Sequence, residues 1–188
     1  MPPWGATQPR VGNNPLVLAV PRAGGHVVLD IAMSQFSFGK LGLHKASGQP
    51  LPAPGGYDQA GELSRDAAAV LQANRLLPIG LWKGSGLALM LDMIAAVLSG
   101  GLATCQLAHG QDHCVSQVFL AFDPARMGLT ERLAEIADLA VESVTTAAPV
   151  APGEAARYPG QRCLQTRREN MDLGIPVDPA CWQRVLAM

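Results

Sequence analysis

At 188 residues the chain is long enough for one domain with a sizeable core and short for two independent ones. Charged residues are only 15% and nearly balance at net −1, which argues against a basic face for nucleic acid and a polybasic segment for a membrane and leaves a small-molecule site or a protein partner. The four cysteines form no C-x-x-C pair and the N-terminus lacks a signal-peptide layout, so the expectation is a cytoplasmic protein with reduced thiols.

In chain order, Pro2-Pro3-Trp4-Gly5 leads through a turn at Gly12-Asn13-Asn14-Pro15 to two short apolar runs, Leu16–Val20 and Val27–Ala32. Prolines bound the first run, and Arg22-Ala23-Gly24-Gly25 joins the two, the pattern of neighbouring strands. Asp30 interrupts the second run, either as a solvent-facing residue or as a carboxylate reserved for a hydroxyl or amide. From Met33 to Pro78 glycine and proline accumulate and periodicity fades; loop is expected, with a short helix near 34–41 and another somewhere in 65–72. Lys40, His44 and Lys45 are read as surface groups.

The longest apolar stretch, LLPIGLWKGSGLALMLDMIAAVLSGG, runs from Leu76 to Gly101. Residues 87–98 are apolar on every side, which predicts a helix buried all round, opening at Gly84-Ser85-Gly86 with Ser85 as N-cap and stopping at Gly100-Gly101. Its one charge, Asp92, needs a partner. The apolar run is too short to span a bilayer. Trp82 and Lys83 precede the opening. An ammonium beside glycines at a helix N-terminus suits a phosphate, and the indole offers a flat wall, although a capped helix with a solvated lysine is the plainer reading.

Cys105, His109, His113 and Cys114 are residue types that bind zinc, but their spacing fits no zinc finger; a polar loop is expected there and no metal site. Residues 116–123, SQVFLAFD, predict a strand covered on both faces. Thr130 is expected to cap an amphipathic helix whose covered face is Leu133, Ile136, Ala137, Ala140 and Val144. After a proline-rich connection over 149–160 come a helix near 164–173, stopped at Gly174, and a last helix begun by Asp178 and Pro179.

Taken together, GNNPL, LDIAMSQFSFGKL, LPAPGGYD, LPIGLWKGSGLALMLDMIAAVLS, SQVFLAFD, RYPG and GIPVDPACW resemble, in that order, the type-2 malate/L-lactate dehydrogenase family. The resemblance covers essentially the whole chain. It implies an α/β (α+β) fold, a mostly antiparallel sheet covered by helices and no Rossmann domain, with residues 1–188 forming one partial domain that lacks the family's N-terminal helical part. It further implies an NAD- or NADP-dependent oxidoreductase acting on a small-molecule 2-oxo acid, working as a homodimer, with neither nucleic acid nor membrane as partner.

Matched motif by motif, the implied cofactor contacts are His26, Val27, Val28, Leu29, Asp30, Ile31, Ala32, Trp82, Lys83, Gly160, Gln161 and Arg162. An arginine at 162, where relatives usually carry an acid, would favour a phosphate. The family's proton-donating histidine and carboxylate-binding arginine come from the region before the turn matched by Trp4-Gly5. None of His26, His44, His109 or His113 is assigned as the acid, so no catalytic residue is named. A second reading is a non-catalytic remnant that keeps only dinucleotide binding or dimerisation.

Overall fold

The computed structural model describes residues 1–107 and 116–188, and these divide into two compact units. One unit is Met1–Leu16 with Ile31–Phe122; the other is Val17–Asp30 with Asp123–Met188. Both runs expected to be strands are strands: β1 (Leu16–Val20) pairs with β2 (Val27–Ile31). Of the zinc-type cluster, His109, His113 and Cys114 lie outside the described residues, and Cys105 is an exposed free thiol.

In the first unit the glycine-rich excursion is more ordered than its sequence suggests. Helix α1 (Phe38–Ser47) starts four residues after Ser34, because the Ser34 hydroxyl is committed to Asn13 Oδ1 (2.8 Å) and the Phe36 carbonyl (2.9 Å), and Ser37 caps instead by accepting from Lys40 N. Helix α2 (Ala67–Ala73) falls in the expected window and is capped by Asp66. Three two-residue strands, β3 (Gly56–Tyr57), β4 (Leu63–Ser64) and β5 (Arg75–Leu76), form an antiparallel sheet in the order β4-β3-β5. Strands that short have no readable alternation, which hid them. Leu41, Leu51, Ala67, Val70 and Leu76 make the core between these elements. A second cluster joins Val11, Met33 and Ala88. Lys40 and Lys45 are exposed as expected, while the half-buried His44 ring meets the Gln49 carbonyl through Nδ1 at 3.1 Å.

Helix α3 (Trp82–Ser99) departs from expectation at its start and in its burial. It opens at Trp82, through Gly80 (φ 60°) and Leu81 (φ 60°), and Ser85 lies inside it; the Ser85 hydroxyl accepts the Trp4 amide at 2.9 Å. Its end is as expected, with Gly100 in the left-handed region bonding Ala96 and Val97 carbonyls. Nor is it buried all round. The small residues Gly84, Ala88 and Ala96 are its buried positions, while Leu87, Leu89, Met90, Met93, Ile94, Val97 and Leu98 are exposed, because the covered face is narrow and built for close approach. Asp92 does find partners, accepting from the Thr104 amide (3.0 Å) and hydroxyl (2.7 Å). Counted from Trp82 the helix reaches the 18 residues a bilayer span needs, and it is apolar enough. A hydrogen-bonded carboxylate at its middle and a small-residue face in the core instead mark a helix packed on protein.

The segment over 116–123 is not a strand. Phe119 is 87% and Phe122 79% exposed, and among the described residues no strand pairs with it. Alternation identifies a chain able to join a ladder; without a ladder partner it stays open.

In the second unit α4 (Thr130–Thr145) has Leu129 at the cap position, so Thr130 is its first residue and not its cap. Ala137 and Val141 are buried with Leu133 half-buried, one i, i+4 row; Ile136, Ala140 and Val144, expected on that face, are exposed. Helix α5 (Gln161–Leu173) begins three residues early and stops at Gly174, and α6 (Pro179–Leu186) is capped by Asp178 accepting from Cys181 N at 2.8 Å.

The tightest backbone approach in the first unit is at Gly84, where an added Cβ would lie 1.9 Å from the Ile79 carbonyl oxygen. Gly84→Val is expected to destabilise by about 2 kcal/mol or more, read as a fall in thermal midpoint; an unchanged midpoint would show that α3 does not pack on its own entry.

Candidate functional site

The residues implied as cofactor contacts fall in both units: His26–Asp30 and Gly160–Arg162 in one, Ile31, Ala32, Trp82 and Lys83 in the other. Within the second unit the structure brings the strand and the turn together. The amide of Val28 donates to the Pro159 carbonyl at 3.1 Å. Gly160, at φ 89°, sits so close to β2 that a Cβ there would stand 3.1 Å from Val28 N and 3.5 Å from the His26 carbonyl oxygen. The turn is closed by two bonds, Gln161 N to the Tyr158 carbonyl and Tyr158 N to Gln161 Oε1, both 3.2 Å.

Gly160 also begins α5 without a side-chain cap. The amides of Arg162 and Cys163 therefore have no helical carbonyl to bond, and the positive end of the helix dipole lies at the same place. A glycine that brings backbone to within contact of a strand, followed by free amides, is a cradle that accepts a phosphate and leaves no room for a side chain. The residues present fit a dinucleotide phosphate on that ground. Gln161 lines a hollow of about 390 Å³ with Gly24, Tyr158, Leu164, Arg168, Glu169 and Asp172. Arg162 lines a different hollow, with Arg167, Met171 and Ile175 among its walls.

The loop between β1 and β2 is fixed by contacts that sequence reading missed. Arg22 Nε bonds Asp138 Oδ1 of α4 at 2.5 Å, and Gly25 N bonds the Arg22 carbonyl at 3.2 Å. Gly25 (φ 128°) would place a Cβ 2.4 Å from Leu164 Cδ1 of α5. The Gly24-Gly25 pair was a local signal for a close approach; Asp138, 116 positions from Arg22, gave none. Asp30 is exposed on β2, in line with the solvent-facing reading.

In the first unit Trp82 is 65% exposed and Lys83 is exposed, on the first turn of α3. The Lys83 amide already bonds the Gly80 carbonyl at 3.3 Å. Among the described residues its ammonium forms no ion pair, and Gly84 is held against Ile79.

Residues 1–186 match the model of the malate/L-lactate dehydrogenase family. The chain is 41% identical over 194 aligned residues to a 2,3-diketo-L-gulonate reductase of Pasteurella multocida, and 40% identical to the reductase of that name from Mannheimia succiniciproducens. Each alignment takes in 100% of this chain and 57% of the relative, so the chain spans just over half the length of these proteins. Among solved structures it is similar to the delta1-piperideine-2-carboxylate reductase of Pseudomonas syringae, with a TM-score of 0.75 and 30% identity over 97% of this chain and 55% of that one.

The geometry of the turn sets a prediction. Gly160→Ala forces a side chain into the left-handed region and against Val28 N, so it should cost roughly 1–2 kcal/mol and lower the thermal midpoint by several degrees. A midpoint equal to that of the parent chain would mean that β2 and the turn are not in contact in solution.

Proposed function

The chain belongs to the malate/L-lactate dehydrogenase family, and from that premise we propose that it is an NAD(P)H-dependent oxidoreductase for a 2-oxo acid, most specifically 2,3-diketo-L-gulonate reduced to 3-dehydro-L-gulonate. The observation that carries the proposal is the cradle at Gly160: a side-chain-free turn against β2 that opens onto the unpaired amides of α5. When bound, the dinucleotide supplies the hydride for the carbonyl carbon. The chain's own part is to hold it. In the second unit the amides of Arg162 and Cys163 donate to phosphate oxygens and the exposed Asp30 carboxylate accepts from a hydroxyl or amide; in the first unit, taken by itself, Lys83 offers a positive charge and Trp82 a flat apolar face to a ring.

A homodimer in the cytoplasm completes the proposal. The row of large apolar side chains that α3 leaves exposed supports a partner subunit, since a face of that kind is costly to keep in water. The second reading, binding without reduction, is kept because no residue here is assigned the proton for the carbonyl oxygen or the cation for the substrate carboxylate.

Titration of the purified chain with NADH and with NADPH, followed by tryptophan fluorescence, tests the proposal. Saturable binding is expected, weakened about tenfold in Lys83→Ala, as for loss of one charge-assisted contact. Absence of binding by folded protein sinks the cofactor assignment. Binding without turnover of any 2-oxo acid leaves the non-catalytic reading standing.

A further inference from the structure

A second tryptophan stands beside the first turn of α3, and its role rests on the cofactor reading above. The amide of Trp4 donates to the Ser85 hydroxyl at 2.9 Å, across 81 positions of sequence. Ser85 lies three residues after Trp82, and residues three apart on a helix are neighbours on one face, about 5–6 Å apart at Cβ. That single bond therefore brings the Trp4 backbone to the face on which Trp82 stands. A tight turn keeps it there: Ala6 N donates to the Pro3 carbonyl at 3.0 Å, Gly5 takes φ 87°, and Pro2 is fully buried. Trp4 is 46% and Trp82 65% exposed, so both indoles keep much of their surface open. Lys83 follows on the same turn, its ammonium in no ion pair among the described residues. Two open indoles are poor company for water, and a flat heteroaromatic ring removes that surface by stacking, which needs only a π-face.

We infer that Trp4 is a further binding residue for the dinucleotide: its indole is a second aromatic wall beside that of Trp82, for a heteroaromatic ring of the cofactor, and Lys83 meets the phosphate of the same nucleotide half. Ser85 is a positioning residue that acts through the Trp4 amide. Nicotinamide and adenine share the chemistry this pair selects, a flat heteroaromatic ring on a ribose phosphate.

The chain has three tryptophans, Trp4, Trp82 and Trp182, so a double variant, Trp82→Phe with Trp182→Phe, leaves Trp4 as the one indole that emits. It is titrated with NAD, with nicotinamide mononucleotide and with AMP, none of which absorbs indole emission, so that quenching reports contact. In parallel, NADH and NADPH affinities are measured by calorimetry for the parent chain, Lys83→Ala, Trp4→Phe, Trp4→Ala, Ser85→Ala and the Trp4→Ala, Ser85→Ala pair, after thermal melts of each. The expected result is quenching of Trp4 by NAD and by one of the two mononucleotides, which identifies the ring. Affinity stays within about threefold of the parent in Trp4→Phe and falls about tenfold in Trp4→Ala, as for loss of one stacked aromatic. Ser85→Ala causes a smaller loss, which disappears when Trp4 is already alanine.

Trp4 emission unchanged at saturating NAD would overturn the inference, and this arm decides it even where Trp4→Ala does not fold. Parent-like affinity in Trp4→Ala would overturn it too, as would equal losses in folded Trp4→Phe and Trp4→Ala, since the indole would then serve the turn and not a ring. A Ser85→Ala loss that persists in full beside Trp4→Ala would remove the positioning role. A folded parent that binds neither NADH nor NADPH defeats the cofactor reading itself, an outcome distinct from a parent whose binding falls in Lys83→Ala and not in Trp4→Ala.

Discussion

The Val28 amide reaches the Pro159 carbonyl at 3.1 Å, and that bond requires a residue at 160 with no side chain. On it depend the placing of the α5 N-terminus beside β2 and hence the meeting of two segments separated by about 130 positions in sequence. The same device works at the start of α3, where Gly84 lies against the Ile79 carbonyl and turns the helix back onto its own entry. In both places the chain trades side-chain packing for backbone proximity. Such trades give little hydrophobic return, so they are maintained by geometry: a hydrogen-bonded turn at Tyr158–Gln161 in one case and two positive-φ residues, Gly80 and Leu81, in the other.

What the sequence made legible was local. A proline-bounded apolar run marked β1 and an apolar run after Gly24-Gly25 marked β2, Asp-Pro marked the cap and first residue of α6, and glycine marked the ends of α3 and α5. Each of these signals acts within a few residues, through φ restriction or a cap. The start of α3 was misread because the Ser85 hydroxyl, an ordinary cap in isolation, is taken by the Trp4 amide 81 positions away. SQVFLAFD was misread for a related reason: its alternation says what it can pair with, not whether a partner is there. The candidate site residues were named from the order of motifs and not from a chemical pattern, since neither WKGSG nor RYPG is specific alone. The Arg22–Asp138 pair had no sequence signal at all.

Hydropathy misled in one instructive way. Residues 87–98 are nearly all apolar, a composition that predicts cover on all sides. The helix instead presents Gly84, Ala88 and Ala96 inward, so that its backbone approaches the Val11–Met33 cluster closely, and turns its larger side chains away. Small residues inside and large ones outside is the reverse of an ordinary amphipathic surface helix. The inward face is made of small residues and the apolar bulk of the helix lies on the exposed face.

The turn also bears on the choice between NAD and NADP. Taken in sequence, Gly160-Gln161-Arg162 reads as one contact surface, and an arginine in it suggests a phosphate-bearing ribose. On a helix, successive residues are turned by about 100°, and the two side chains part accordingly: Gln161 joins the hollow of Gly24, Tyr158 and Leu164, whereas Arg162 joins the one bounded by Arg167 and Met171. Glu169 and Asp172 share the first hollow with Arg168, so the charge beside Gln161 is mixed, and the paired arginines lie around the other side of α5. The Arg162 amide belongs to the cradle by virtue of its place in the helix, whatever its side chain does. The case for NADP from Arg162 therefore reduces to whether an extra phosphate reaches the second hollow, a narrower condition than the sequence alone implied.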